Sequence, residues 1–187
     1  EFLKLLHERE FPVDSLRPLA SERSRGKKVL YAGEEVPVEV VGPEAFSGLD
    51  LAFFSAGAGR SREWARVAVE AGATVVDNSS AFRMDPEVPL VVPEINSEAL
   101  SEHRGIVANP NCTTIVALMA LAPLHRAAGL VRVRAATYQA VSGAGARAMN
   151  ELVEQTRAKL AGEESGPEPE IFPHAIAFNL LPHAGDF

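Results

Sequence analysis

Residues 49–77 impose the strongest constraint on how this chain can fold. Leu49-Asp50-Leu51-Ala52-Phe53-Phe54 is a short, strongly apolar run, the composition of a strand buried on both faces. Ser55-Ala56-Gly57-Ala58-Gly59 follows at once. Ser61-Arg62-Glu63-Trp64 then opens a helix that reaches about Ala71, where Gly72 stops it. Ala73–Asp77 is the next strand. Strand, small-residue turn, helix and strand make a βαβ unit, which commits the chain to an α/β fold with a mostly parallel sheet. The small residues let backbone N–H groups come close to a ligand at a helix N-terminus. The turn is not a G-x-G-x-x-G signature, and tight strand-to-helix packing explains it equally well.

The same texture continues beyond Asp77. Leu90–Pro93 and Gly105–Ala108 read as short strands, with a turn and a short helix across Glu94–Leu100. Asp77-Asn78-Ser79-Ser80-Ala81-Phe82-Arg83 leaves a strand's carboxyl end, the edge at which open α/β sheets bind ligands. Arg83 is there either a fork for a carboxylate or phosphate or a surface arginine. Gly105–Ala108 feeds Asn109-Pro110-Asn111-Cys112-Thr113-Thr114, and an apolar helix runs from about Cys112 to Ala128, with Gly129 as its stop and Pro123 placed to kink it. Cys112 is the single cysteine. Asn111 is a favourable N-cap, with Thr113 and Thr114 in the first turn. A sulfur at that point faces unpaired backbone N–H groups and the positive end of the helix dipole. Both favour the thiolate, which is the nucleophile. A lone cysteine also serves as a small buried apolar residue. Three polar turns on one sheet edge, at 55–59, 77–83 and 109–112, point to a site more strongly than any one of them.

Upstream, Phe2, Leu5 and Leu6 are spaced as in a short amphipathic helix that Phe11-Pro12 ends. Leu16–Ala20, Val29–Tyr31 and Val36–Val41 read as strands, with a turn across Ala32-Gly33-Glu34. The loop Ser21–Lys28, counted with Arg17, gathers five cationic side chains in a chain of net charge −7. By itself it reads as a solvated turn. Downstream, Leu130–Val141 sets Val131, Val133 and Ala135 against Arg132 and Arg134, the alternation of a half-exposed strand. This change of texture predicts a first domain over residues 1–111 and a second over 112–187. Gln139 lies near that strand's end. Ser142-Gly143-Ala144-Gly145 is a second glycine turn, leading into a helix over Arg147–Leu160 with Met149, Leu152, Val153 and Leu160 on one face. Gly162–Glu170 reads as an acidic, flexible loop, and Phe172–Leu181 holds His174 and leads to His183.

Bulk properties narrow the class. Hydrophobic residues make up 47% of the 187, ordinary for a soluble globular protein. The negative charge argues against nucleic acid or an anionic membrane as the main partner. No apolar run approaches the ~20 residues of a membrane span. One cysteine excludes an internal disulfide and a cysteine-based zinc site, and a reducing cytoplasm suits a free thiol. No His/Asp/Glu cluster has metal spacing; His103, His125, His174 and His183 read as surface or core residues. The chain begins as the middle of a helix and stops without a closing element, so it is expected to be a piece of a longer protein or to lack both ends.

Five segments in order carry a resemblance. Ser21-Glu22-Arg23-Ser24-Arg25-Gly26-Lys27, Asp77-Asn78-Ser79-Ser80-Ala81-Phe82-Arg83 and Asn109-Pro110-Asn111-Cys112-Thr113-Thr114 are three of them. The others are Tyr138-Gln139-Ala140-Val141-Ser142-Gly143-Ala144-Gly145 and Ile176-Ala177-Phe178-Asn179-Leu180-Leu181-Pro182. Together they resemble the aspartate-β-semialdehyde dehydrogenases. The resemblance implies a Rossmann-like dinucleotide-binding domain followed by part of an α+β catalytic and dimerisation domain, as in glyceraldehyde-3-phosphate dehydrogenase. It implies NADP as cofactor and aspartyl phosphate, aspartate semialdehyde and phosphate as small-molecule partners. It also implies a homodimer or homotetramer in the cytoplasm, on the route to lysine, threonine and methionine.

By the same resemblance Cys112 is the nucleophile that forms a thioester, Gln139 holds the bound acyl group, and Asn111 supports the cysteine turn and the developing oxyanion. Arg83 binds the phosphate, with Asn109 beside it. Arg23 and Ser24 hold the 2′-phosphate of NADP, as a cation and a hydroxyl suit that group. Glu22 beside them works against it. Ser55, Ala56 and Gly57 lie along the cofactor, and Ser142 and Gly143 approach its nicotinamide. The family's glycine-rich turn, substrate-carboxylate arginine and catalytic histidine match nothing here, so this segment alone is expected to have negligible turnover. Related builds compete: an N-acetyl-γ-glutamyl-phosphate reductase, a malonyl-CoA reductase, a cysteine hydrolase, or a non-catalytic nucleotide-binding module.

Overall fold

The computed structural model describes residues 2–163 and 166–182. The chain divides into two compact units, Glu1–Ala128 and Gly129–Phe187. The first unit opens with helix α1 (Phe2–Glu8), strand β1 (Leu19–Ala20), the hairpin β2 (Lys28–Tyr31) and β3 (Glu34–Pro37), and strand β4 (Glu39–Val40). Strand β5 (Leu51–Phe54), helix α2 (Ala58–Glu70) and strand β6 (Thr74–Asp77) are the βαβ unit. The one-turn helix α3 (Pro93–Asn96), strand β7 (Ile106–Ala108) and helix α4 (Cys112–Ala128) complete it.

Both predicted turns have a chemical cause. Ala32 and Gly33 take φ of 50° and 85° between β2 and β3, the backbone hand that lets a two-residue loop follow the strand twist. At the end of α2, Gly72 N–H bonds to Val69 C=O and Ala73 N–H to Ala68 C=O, the paired bonds of a Schellman stop. Sheet β5-β6-β7 is wholly parallel, with Phe54 opposite Asp77 and Asp77 opposite Ala108. Beside β7 the expected strand at 90–93 shrinks to a single bridge, Leu90 to Ala108. Strands β1 and β4 pair in parallel as a separate two-stranded sheet.

The core lies between α2 and one face of this sheet. Ala65 and Ala68 of α2 are fully buried against Ala52, Phe54, Val75, Ile106 and Ala108, with Phe46 and Phe82 closing the edges. Small residues on α2 let helix and sheet approach closely. Gly105 shows how closely: a Cβ there would stand 2.5 Å from Val69 Cγ1, and its φ is +97°. The expectation that β5 is buried on both faces is corrected. Leu51 and Phe53 remain 44% and 37% exposed. Helix α2 covers one face of the strand, whereas on the other the Phe2 ring stacks on Phe53 at 3.9 Å.

The second unit is built on helix α5 (Ala146–Leu160). One expectation fails in it. Residues 129–140 form no strand, and all are exposed. Alternation supplies the faces of a strand but not its ladder, and no ladder forms along this segment. The apolar stripe on α5 lies mostly outward: Met149, Val153 and Leu160 are exposed and Leu152 is half-buried, while Ala148, Glu151, Gln155 and Ala158 are buried. Glu151 Oε2 accepts the N–H groups of Glu170 and Ile171 at 2.9 and 2.7 Å. Gln155 Oε1 accepts those of Ile176 and Ala177 at 2.9 and 3.2 Å. Irregular backbone packed against a helix needs acceptors, which apolar side chains cannot supply. His183 lies outside the described residues. Among the described residues no helix is long and apolar enough to cross a membrane.

Replacing Gly105 by alanine adds both a strained φ and a clash with Val69. The variant loses about 2 kcal/mol of stability in a urea titration; an unchanged midpoint would show that Val69 moves aside freely.

Candidate active site

Because β5, β6 and β7 end in one row, the residues that follow them are neighbours. Ser55, Asn78 and Asn109 continue the ladder past the strands. Asn78 N–H bonds to Phe54 C=O and Asn109 N–H to Asp77 C=O, both at 2.8 Å. Their side chains join as well: Asn109 Nδ2 donates to Asn78 Oδ1 at 2.6 Å, and Asn78 Nδ2 to Ser55 Oγ at 3.4 Å. Arg83 crosses two of the turns. Its Nε donates to Asn109 C=O at 2.9 Å and its Nη2 to Asn78 C=O at 3.2 Å. Only two of the five guanidinium N–H bonds are used in this way.

Cys112 is the first residue of α4, and its thiol is exposed. The buried-apolar reading of this cysteine is therefore excluded. Asn111 caps the helix: its Oδ1 accepts the N–H groups of Thr113 and Thr114 at 3.0 and 3.4 Å, and its C=O accepts Ile115 N–H at 3.0 Å. Cys112 Sγ lies 3.9 Å from Thr113 Oγ1. The turn is held by its cap and by Arg83, which leaves the sulfur open to a reactant.

The residues expected along a nucleotide lie in the same unit. Ser55, Ala56 and Gly57 are exposed in the turn after β5. Gly57 is the N-cap of α2 with φ of 89° and no atom within 4 Å of a Cβ position, so the helix starts three residues before the expected Ser61. Its first N–H groups have no partner within the helix, an arrangement suited to an anion. Arg23 and Ser24 lie in a single 3-10 turn. Glu22, the acid that weighed against a 2′-phosphate, is held by Arg25 at 2.9 Å, and no ion pair involves Arg23 among the described residues. These features fit a dinucleotide phosphate. In the second unit Gln139 is exposed within the irregular segment, and Ser142 and Gly143 lie in a 3-10 turn that leads into α5.

Three residues escaped the sequence reading. Asp77 is fully buried and accepts Ser61 Oγ–H at 2.6 Å, Ser79 N–H at 3.2 Å and Ser79 Oγ–H at 2.8 Å. Ser61 and Ser79 are themselves buried. The signal was present: two-residue alternation puts Asp77 on the same face as Val75, among core residues.

Comparison with known proteins agrees with the fold. Residues 1–103 match the family described as semialdehyde dehydrogenase, NAD binding domain, and residues 121–187 match semialdehyde dehydrogenase, dimerisation domain. The aspartate-semialdehyde dehydrogenase of Aquifex aeolicus (strain VF5) is 52% identical over 100% of this chain and 55% of its own length. A crystal structure of aspartate semialdehyde dehydrogenase II from Vibrio cholerae, complexed with ASA, superposes with a TM-score of 0.93 at 48% identity. It covers 99% of this chain and 55% of the other. A more distant aspartate semialdehyde dehydrogenase from Candida albicans, solved with NADP, has a TM-score of 0.55 at 29% identity, covering 68% of this chain and 43% of the other. The chain thus spans about half the length of the relatives it matches. The first unit is an α/β, Rossmann-like nucleotide-binding fold.

Asn111→Ala removes the acceptor for two first-turn N–H groups. It costs about 1 kcal/mol and speeds amide exchange at Thr113 and Thr114; unchanged exchange there would show that the cap does not hold the turn.

Proposed function

Because the chain belongs to the semialdehyde dehydrogenase family, we propose that it carries the nucleotide-binding domain (residues 1–111) and the nucleophile-bearing start of the catalytic and dimerisation domain (residues 112–187) of an aspartate-semialdehyde dehydrogenase. The reaction is the NADP-dependent reductive dephosphorylation of L-4-aspartyl phosphate to L-aspartate 4-semialdehyde. It serves lysine (through diaminopimelate), threonine and methionine biosynthesis in the cytoplasm, in a homodimer or homotetramer. One observation carries this reading: an exposed sulfur at a capped helix start, on the same sheet edge as an arginine fork.

Cys112 Sγ, as thiolate, attacks the acyl carbon. The carbon–oxygen bond to phosphate breaks, inorganic phosphate leaves, and a thioester remains on Cys112. Covalent capture splits one hard substitution into two easier steps. Arg83 uses its remaining donors on the phosphate, where a planar fork binds more strongly than an ammonium. Asn109 fixes Arg83 through its carbonyl, and Asn111 holds the turn in which the oxyanion develops. NADP, when bound in its reduced form, supplies a hydride to the acyl carbon. Cys112 is then the leaving group as the hemithioacetal collapses to aldehyde. Gln139 steadies the acyl group, a role that rests on its place in the Tyr138–Gly145 motif. Arg23 and Ser24 hold the 2′-phosphate, Ser55, Ala56 and Gly57 line the cofactor, and Ser142 and Gly143 approach the nicotinamide.

Two measurements test this. Mass spectrometry of the chain mixed with L-4-aspartyl phosphate should show one hydroxylamine-labile adduct on Cys112, absent from Cys112→Ala and formed at least about tenfold more slowly by Arg83→Lys. Acylation that survives Cys112→Ala would overturn the reading. Affinity for NADP(H) should exceed that for NAD(H), and Arg23→Ala should narrow the ratio by about tenfold; an unchanged ratio would remove Arg23 from the cofactor site.

A further inference from the structure

Resting on the reading of Arg83 as the phosphate fork, we propose that Asp77 is a positioning residue of this site. Its buried carboxyl group ties the first turn of α2 to the loop that bears Asn78 and Arg83, and so sets Arg83 against the cysteine turn. Packing alone does not explain an acid here. Asp77 shares its face with Val75 and is fully buried, and a carboxyl group is costly to bury unless donors surround it. Those donors come from two separate elements: Ser61 lies in the first turn of α2, and Ser79 in the loop after β6.

The linkage runs on toward Arg83. Ser79 Oγ accepts Ala81 N–H at 3.0 Å, two residues before the arginine. On the opposite side, the main-chain carbonyl of Asp77 accepts Asn109 N–H at 2.8 Å, and Asn109 C=O accepts Arg83 Nε–H. One residue therefore fixes both ends of the contact between the Arg83 loop and the Asn109–Cys112 turn. It also joins them to the helix start where a nucleotide phosphate is expected. Asp77 acts through Arg83, because its own carboxyl group is enclosed.

The test uses the whole chain and two constants: the rate at which iodoacetamide alkylates Cys112, and the concentration of inorganic phosphate that halves that rate. Asp77→Asn keeps the side-chain shape but replaces one acceptor by a donor. It should raise the half-protecting phosphate concentration about tenfold while the rate without phosphate stays within about twofold. Ser79→Ala, a smaller change that spares the fold if Asp77→Asn does not, should shift the same constant in the same direction. Amide exchange at Ser79 and Ala81 should quicken in both variants. A merely structural role predicts instead that both constants change together with the melting temperature, and that result would overturn the proposal. Wild-type exchange at Ser79 and Ala81 in the variants would also overturn it. If phosphate fails to protect wild-type Cys112, the phosphate role of Arg83 falls; if phosphate protects the wild type and both variants equally well, the positioning role of Asp77 alone falls.

Discussion

The register of three short parallel strands is the constraint from which the rest follows. Phe54, Asp77 and Ala108 stand in one row, so the turns after them lie side by side although they are far apart in sequence. Asn78 and Asn109 extend the ladder by one bond each, and their amides then meet. A slip of one residue in β6 would turn Asp77 and Val75 outward and point Asn78 into the core. The core face of β6 and the polar edge of the sheet are therefore specified together.

Buried polar side chains do a second job in both units. Asp77 gathers the loop after β6, and Glu151 with Gln155 gathers residues 170–177 onto α5. In each case the segment so held is irregular, and its N–H groups would otherwise be left without acceptors. An acid or amide on a helix or strand fixes such a segment in one position. An apolar face would leave it free to slide, because hydrophobic contact has no direction.

Much of this was legible from sequence where local chemistry decides. The βαβ unit, the glycine stops, the Ala32-Gly33 turn and the Asn111 cap depend on residues within a few positions of each other. The start of α2 was placed late, because a glycine N-cap with positive φ carries no side-chain signal, whereas Ser61 resembles one. What was not legible depended on distant partners. Val131 and Val133 alternate like a strand, yet a strand exists only where another supplies its ladder. Met149, Val153 and Leu160 form a sound apolar stripe on α5, yet Glu151 and Gln155 face inward because backbone some 20 residues away needs them. The three turns were legible as neighbours on one sheet edge, while the buried acid beneath them was not, since an acid at a strand's end reads as a surface residue until its pairing with Ser61 is known.

The exposure of Cys112 bears on how such a site attains accuracy. A nucleophile enclosed by side chains is positioned by packing, but then its substrate must be admitted by motion. Here the sulfur is open, and its place is set from beneath. The Asn111 cap fixes the first turn of α4, β7 delivers the chain to that cap, and Arg83 ties the carbonyl of Asn109 to that of Asn78. Every one of these bonds uses backbone, whose geometry is stiffer than any rotamer. Misplacement by about 1 Å can cost a hundredfold in rate. A floor built of backbone bonds therefore gives the sulfur one position while leaving it exposed, as the proposed acylation of Cys112 requires.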